Sequence, residues 1–233
     1  MKILAVDTAS STASVAVLSD GLVIGEFSIN NKNTHSVNLM PMISELMKRL
    51  GLAAEDIDYY AVSVGPGSFT GLRIGISVIK GIAYSVNKPV VAVSTLDALA
   101  HGSVERSNII CPMMDARNNQ VFTAIYTSDG SRIERISEYL VIEVGELLQM
   151  LKEYDSVVFK GDGASLHENT IKEMKHEGAL FAKTGNNLNR AVDVSLLAKE
   201  KILKNESIEA AQLKAFYLRK SQAEQQMEKK CPK

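Results

Sequence analysis

The sequence predicts an α/β protein built from two similar halves, each running strand, strand, strand, helix, strand, helix. Three observations carry that expectation. A strand-like apolar run ends in an aspartate twice, at Asp7 and at Asp115. Each is followed by two further apolar runs joined by the same kind of turn, Ser19-Asp20-Gly21 and then Ser128-Asp129-Gly130. The spacing from aspartate to turn differs by one residue between the halves, so a single insertion superposes them.

The elements follow in order. Lys2 to Asp7 reads as a buried strand, Ala13 to Leu18 as a second and Leu22 to Ile29 as a third. Asp-Gly between apolar runs is a hairpin signal, because both residues accept positive φ. A helix is expected from about Ser36 to Leu50, with Leu39, Ile43, Leu46 and Leu50 on one face and Gly51 as its stop. A strand from Asp58 to Val64 then meets the turn Gly65-Pro66-Gly67, which opens a helix from Leu72 to Val86. Ser68 or Thr70 can cap that helix. A strand Val90 to Val93 and a helix from Leu96 to His101 complete the first half. The second half predicts strands at Ile109–Met114, Gln120–Thr127, Ile133–Leu140 and Ser156–Lys160. Its helices are expected near Val144–Glu153, Leu166–Lys175 and Val192–Lys204. The expected lobes are residues 1–105 and 106–213. Residues 214–233 form a tail with six basic and two acidic residues, read as poorly ordered or docking.

Two βββαβα-type halves with mixed sheets flanked by helices describe a duplicated RNase H-like architecture, an arrangement that holds a nucleotide between its lobes. A glycine turn at a helix N-terminus is a natural anion cradle. Asp7, Thr8, Gly65, Gly67 and Asp115 are therefore the candidate phosphate site. The plainer reading is that each aspartate ends a strand and accepts backbone N–H bonds from the turn that follows.

Composition narrows the function. The chain has 233 residues, 45% hydrophobic and 23% charged, with a net charge of −1. That is a globular composition with a sizeable core and no basic excess, so direct nucleic-acid binding is not expected. No apolar run reaches membrane-spanning length, and the N-terminus is charged too soon for a signal peptide. Cys111 and Cys231 make no disulfide framework, and the expected location is the cytoplasm. No HExxH, P-loop or G-x-S-x-G pattern occurs. His167 and His176 are predicted on opposite faces of one helix, and His35 is a cap or interface residue. No catalytic residue and no metal ligand is nominated.

The two early helices carry more apolar surface than one core needs. Between Leu72 and Tyr84 the only charges are Arg73 and Lys80, and Ile74, Val78 and Ile82 form a second ridge beside Leu72, Ile76, Ile79 and Ala83. The apolar arc is roughly 200° wide, against the narrower stripe of a one-sided surface helix. On the first helix Met40 and Met47 flank the core ridge, extended by Val37 and Met42. Either both helices are enclosed, or they have a second partner.

Met1-Lys2-Ile3-Leu4-Ala5-Val6-Asp7-Thr8-Ala9, the segment His35 to Ile43 with Pro41, and Val64 to Arg73 together resemble the TsaB (YeaZ) family. Further matches are Val93-Ser94-Thr95-Leu96, Met114-Asp115-Ala116-Arg117, Gly161-Asp162-Gly163, and Tyr217-Leu218-Arg219 with Ala223-Glu224. The resemblance implies an actin-like ATPase fold and a bacterial subunit of the machinery that makes threonylcarbamoyladenosine at position 37 of tRNAs reading codons that begin with A. In the catalytic relative TsaD, two histidines four apart bind the metal, and the matching positions here are Thr95 and Leu99. Neither replaces a histidine ligand. The resemblance therefore implies a non-catalytic subunit that needs no cofactor. It would bind TsaD and work with the ATPase TsaE, with TsaC supplying the adenylate, ATP used by the partners, and tRNA met only through the complex. Pairing through the first two helices, as a homodimer or with TsaD, places Leu39, Met40, Ile43, Met47, Arg73, Ile74, Ser77, Val78, Ile82 and Tyr84 at the interface. The alternatives are an active ATPase or phosphotransferase using Asp7 and Asp115 with magnesium and, last, a metalloprotease.

Overall fold

The computed structural model describes residues 1–31, 35–102, 109–130, 132–175, 178–183 and 187–219. The first half contains β1 (Lys2–Asp7), β2 (Thr12–Ser19), β3 (Leu22–Asn30), α1 (His35–Leu50), β4 (Tyr59–Gly65), α2 (Phe69–Ser85), β5 (Val90–Ser94) and α3 (Thr95–His101). The second contains β6 (Ile109–Asp115), β7 (Gln120–Thr123), β8 (Tyr126–Ser128), β9 (Ile133–Arg135) and β10 (Leu140–Glu143). There follow α4 (Val144–Met150), β11 (Val157–Lys160), α5 (Asp162–Leu166), α6 (Glu168–Lys175), β12 (Ala179–Phe181) and α7 (Ala191–Leu203).

The two sheets repeat one topology. The first runs β3-β2-β1-β4-β5 and the second β10-β7-β6-β11-β12, with β8 and β9 attached beside β6. In each, the first three strands are antiparallel and the last two join in parallel. The chain has the duplicated RNase H-like fold that the sequence predicts.

Alternation along the strands sorts the first sheet into two buried faces. Leu4, Val6, Val15, Val17, Tyr60 and Val62 pack with α1 and α2, through Leu39, Met42, Ile43, Leu46, Leu72, Ile76 and Ile79. Ile3, Ala5, Ala16, Leu18, Ala61, Val91 and Val93 face the other way, onto Ala191, Val194 and Ala198 of α7. The last helix of the second half thus covers the first sheet. Beside it α3 lies against β6, so α7 and α3 form the middle layer between the two sheets. The outer face of the second sheet packs on α4, α5 and α6 through Cys111, Met113, Phe159, Leu147, Ala164 and Ile171.

The second half departs from expectation in four places, the first being the edge strand β12, which the sequence reading does not include. The predicted strand Gln120–Thr127 breaks at Ala124-Ile125, where the amide of Ile125 donates to Ser137 Oγ at 2.8 Å. Pairing with β6 then shifts from Met113–Asp115 to Ile109–Ile110. The predicted strand Ile133–Leu140 divides into β9 and β10 for the same reason, since Ser137 leaves the ladder to satisfy that amide. The predicted helix Leu166–Lys175 is two helices meeting at His167, and His176 lies outside the described residues.

Candidate functional site

The ends of the parallel strands of both sheets meet at one cleft of about 840 Å³. Its walls repeat as the sheets do. Asp7 ends β1 and its Oδ1 accepts from the amide of Ala9 at 2.9 Å; Asp115 ends β6 and its Oδ1 accepts from the amide of Arg117 at 2.7 Å. These are Asx turns, the plainer of the two readings open to the sequence. Gly65-Pro66-Gly67 follows β4, and Gly161-Asp162-Gly163 holds the corresponding place after β11. Gly65 has φ +125° and Gly161 φ +105°, values that L side chains rarely adopt. Asp162 was not singled out as a site residue. Its Oδ1 accepts from the amides of Asp115 (3.1 Å) and Gly163 (2.8 Å). The repeated Gly-x-Gly after an apolar strand was the signal that could have found it.

The structure divides the candidate phosphate residues. Gly67 and Asp115 line the cleft. Asp7 and Thr8 are fully enclosed and do not. The Asp7 carboxylate is held by Ser63 Oγ and the Ala9 amide, and Thr8 Oγ1 donates to the carbonyl of Gly71 at 2.8 Å. Burial pushes the Asp7 carboxyl above the ordinary value of 3.8, against the two bonds that favour its charge. Of the three, Asp115 stands at the cleft while Asp7 and Thr8 lie enclosed away from it. The glycine turn packs down on β1, with the amide of Ser68 donating to the Ala9 carbonyl at 2.7 Å. Gly65 is enclosed behind the turn, where a Cβ would meet the carbonyl of Phe216.

Thr95 and Leu99, at the first and fifth positions of α3, are 0% and 1% exposed. They serve as packing residues, Leu99 lying where a Cβ on Gly161 would be. Among the described residues no group of three His, Cys, Asp or Glu side chains is placed to hold a metal ion. His35 begins α1, and its Nε2 bonds the Ser10 carbonyl at 2.8 Å.

On the outer surface of α1 and α2 the interface residues also divide. Leu39, Ile43 and Met47 are 0%, 5% and 8% exposed and belong to the chain's own core. The expectation placed them on a partner surface; here α1 seats its Leu39–Ile43 ridge and Met47 on β2 and α2. Val37, Met40 and Tyr84 are exposed, at 67%, 46% and 74%. Ile74, Val78 and Ile82 are half-buried, packed beneath against the core and open above. Arg73 and Ser77 are exposed at the edge of this stripe. Arg73 is already engaged, its guanidinium 3.9 Å over the Phe69 ring and its Nε donating to Tyr217 Oη at 3.1 Å.

Comparison with known proteins agrees with this frame. Residues 23–227 match the family model described as TsaD: tRNA N6-adenosine threonylcarbamoyltransferase. The chain is 34% identical over 225 residues, 96% of each chain, to the tRNA threonylcarbamoyladenosine biosynthesis protein TsaB of Bacillus subtilis (strain 168). It is 36% identical over 135 residues to the TsaB of Escherichia coli (strain K12), 57% of this chain and 58% of that one. Among solved structures, YeaZ from Pseudomonas aeruginosa superposes with a TM-score of 0.78 at 28% identity, over 93% of this chain and 99% of that one. The activator of the 2-hydroxyisocaproyl-CoA dehydratase from Clostridium difficile, 12% identical over 93% of this chain and 99% of its own, shares the fold at a TM-score of 0.54. With a third of its residues held in common with a TsaB along nearly its whole length, and a YeaZ backbone beneath its repeated sheets, the chain belongs to the TsaB (YeaZ) family.

Proposed function

We propose that this chain is a non-catalytic subunit of tRNA threonylcarbamoyladenosine synthesis that docks on a TsaD-type catalytic partner through the outer face of α1 and α2. Kinship with the TsaB proteins supports the process, since those relatives are named for it. The observation that carries the docking mode is the uncovered apolar stripe of Val37, Met40, Ile74, Val78, Ile82 and Tyr84. Exposed aliphatic and aromatic side chains on two adjacent helices mark association, and a few central ones carry most of such binding. A homodimer through the same stripe is the form taken without the partner. The work is expected to be cytoplasmic, with TsaE and TsaC supplying the ATP-dependent steps, tRNA contacted through the complex and no cofactor held by this chain. Packing at Thr95 and Leu99 supports the non-catalytic assignment, because those positions are filled by core side chains. Phosphotransfer by Asp7 and Asp115 would require Asp7, held by Ser63 and the Ala9 amide, to leave its enclosure.

The test is co-purification with TsaD. Val78→Glu places a carboxylate at the centre of the stripe and is expected to weaken binding about 30-fold or more, the scale of a central interface residue worth about 2 kcal/mol. Because Val78 also touches the core, Met40→Asp on the exposed edge is measured beside it, with circular dichroism on both. Folded variants that bind TsaD as the parent does would remove the docking proposal. Modified tRNA formed without TsaD would remove the non-catalytic assignment.

A further inference from the structure

The chain does not end where its second sheet ends. After α7 it returns to the first lobe, where Ile208 exchanges two backbone hydrogen bonds with Val90, at 2.8 and 2.9 Å. A short 3-10 turn at Ala210–Gln212 follows, beside α2. Lys80 Nζ, on that helix, donates to the carbonyls of Ala211 (2.8 Å) and Leu213 (3.4 Å). Leu213 is 2% exposed. The amide of Phe216 then donates to the carbonyl of Val64 at 2.7 Å, at the end of β4.

From there the segment crosses the mouth of the cleft. The Tyr217 ring stacks on Phe69 with centroids 4.8 Å apart, and its hydroxyl accepts from Arg73. Phe216 meets the second lobe at Tyr139, with ring centroids 5.5 Å apart, and Tyr139 in turn donates to Asp97 on α3 at 2.9 Å. Arg219 completes the crossing: its guanidinium donates to Gln120 Oε1 at 3.3 Å and lies 5.8 Å from the Phe122 ring. Phe216, Tyr217, Leu218 and Arg219 all line the cleft.

We propose that Leu213–Arg219 is a strap that ties α2 to the second lobe and fixes the opening of the cleft. The contacts are of two kinds, at two ends. Aromatic stacking and the Arg73 bond anchor the strap to α2, on the same helix that carries Ile74, Val78 and Ile82. The Phe216–Tyr139 contact and Arg219 anchor it to β7 and to the segment before β10. A change in the angle between the lobes must break one set or the other, so the strap couples the outer surface of α2 to lobe geometry. It needs no particular partner, and its test does not involve one.

The full chain carries a spin label on α1, at Lys48→Cys, and another on α4, at Gln149→Cys, with Cys231→Ser to remove the tail thiol; Cys111 is buried. The parent is expected to give one narrow distance distribution. Tyr217→Ala with Arg219→Ala is expected to broaden it, and to speed exchange of the Phe216 amide at least 10-fold. Arg219→Gln alone, which removes one of the two second-lobe anchors and none of those on α2, is expected to broaden the distances while leaving Phe216 protected. Circular dichroism establishes that each variant is folded, and Arg219→Gln decides the matter if the double variant is not. An unchanged distance distribution in the folded variants, or a Phe216 amide in the parent that exchanges like an unstructured peptide, overturns the proposal. Loss of TsaD binding by Val78→Glu would leave this result untouched.

Discussion

Asp7 shows what full enclosure does to a carboxylate at the end of a strand. Its carboxylate is fully buried, held by Ser63 and the Ala9 amide, and its carboxyl is pushed up by burial. A carboxylic acid raised by folding gives stability that is complete below the unfolded value of 3.8 and is lost as pH rises through the folded one. Asp7→Asn keeps the acceptor for Ala9 and offers an amide to Ser63, whose hydroxyl can accept. The variant is therefore expected to melt higher than the parent at pH 7, with the gap closing as pH falls toward 4; thermal melts across that range measure it. A gap that is absent or reversed at pH 7 would mean that the charge is being used. Lys160 is the complementary case. Burial lowers its ammonium to about 8, with Asp193 opposing. The unfolded chain holds that proton to about 10.5, so the parent gains stability between those values as pH rises. Lys160→Met should lack that gain in melts at pH 8 and pH 10. The sequence announced Asp7 by ending an apolar strand with it, but not that it would be fully enclosed. Its neighbour Thr8 is closed over from the other side, by α2, where Gly71 and Gly75 carry no side chains to hold the helix away.

Those glycines set the terms at the scale of the element. A methyl group on Gly71 would run into the Thr8 carbonyl, and one on Gly75 into the Thr8 hydroxyl. Gly81, on the same helix, has nothing within 4 Å of its Cβ position. Gly71→Ala is accordingly expected to cost about 1–3 kcal/mol or more, as overpacking does. Gly81→Ala should add about 0.5–1 kcal/mol by removing unfolded-state freedom from a helix interior. Urea unfolding of the two variants would measure the opposite signs. Equal effects would mean that α2 is not seated on β1 as described. At this scale the first half was legible because its elements are long and strongly patterned: β2 is an apolar run buried on both faces, and Asp20-Gly21 adopts positive φ at both positions, as its sequence demands. The second half was harder to read because one hydroxyl redirects two strands. Ser137 takes the Ile125 amide, and no periodicity in Gln120–Leu140 foretells a bond between residues so far apart along the chain. The wide apolar arcs of α1 and α2 were legible as a quantity but not as a division. Met40 and Met47 look equivalent in sequence, yet two turns of helix leave one exposed and the other in the core.

At the scale of the molecule the two halves are similar in plan and interlocked in packing. The sheet of the first half has one face covered by its own α1 and α2 and the other by α7, which the second half supplies. The join is also polar. Arg190, just before α7, forms two bonds with Glu26 on β3, at 3.0 and 2.5 Å, and the amide of Ala191 donates to Ser14 Oγ at 2.9 Å. A fragment of residues 1–102 keeps every strand of its sheet and still leaves Ile3, Ala5, Ala16, Leu18, Ala61, Val91 and Val93 uncovered. Each large aliphatic side chain among these forfeits about 1.5–3 kcal/mol when it is returned to water, and the whole of a domain's stability is only about 5–15 kcal/mol. The fragment is therefore expected to show no cooperative urea transition by circular dichroism. The full chain should unfold in one step, with slow-exchanging amides of β1, β4, β6 and β11 sharing one opening free energy. A first half that folds alone, or two sheets that open at different free energies, would mean that α7 is an ornament on the first sheet and not its second wall. The repeat that makes the fold readable from sequence is, on this packing, the reason neither copy of it can be removed.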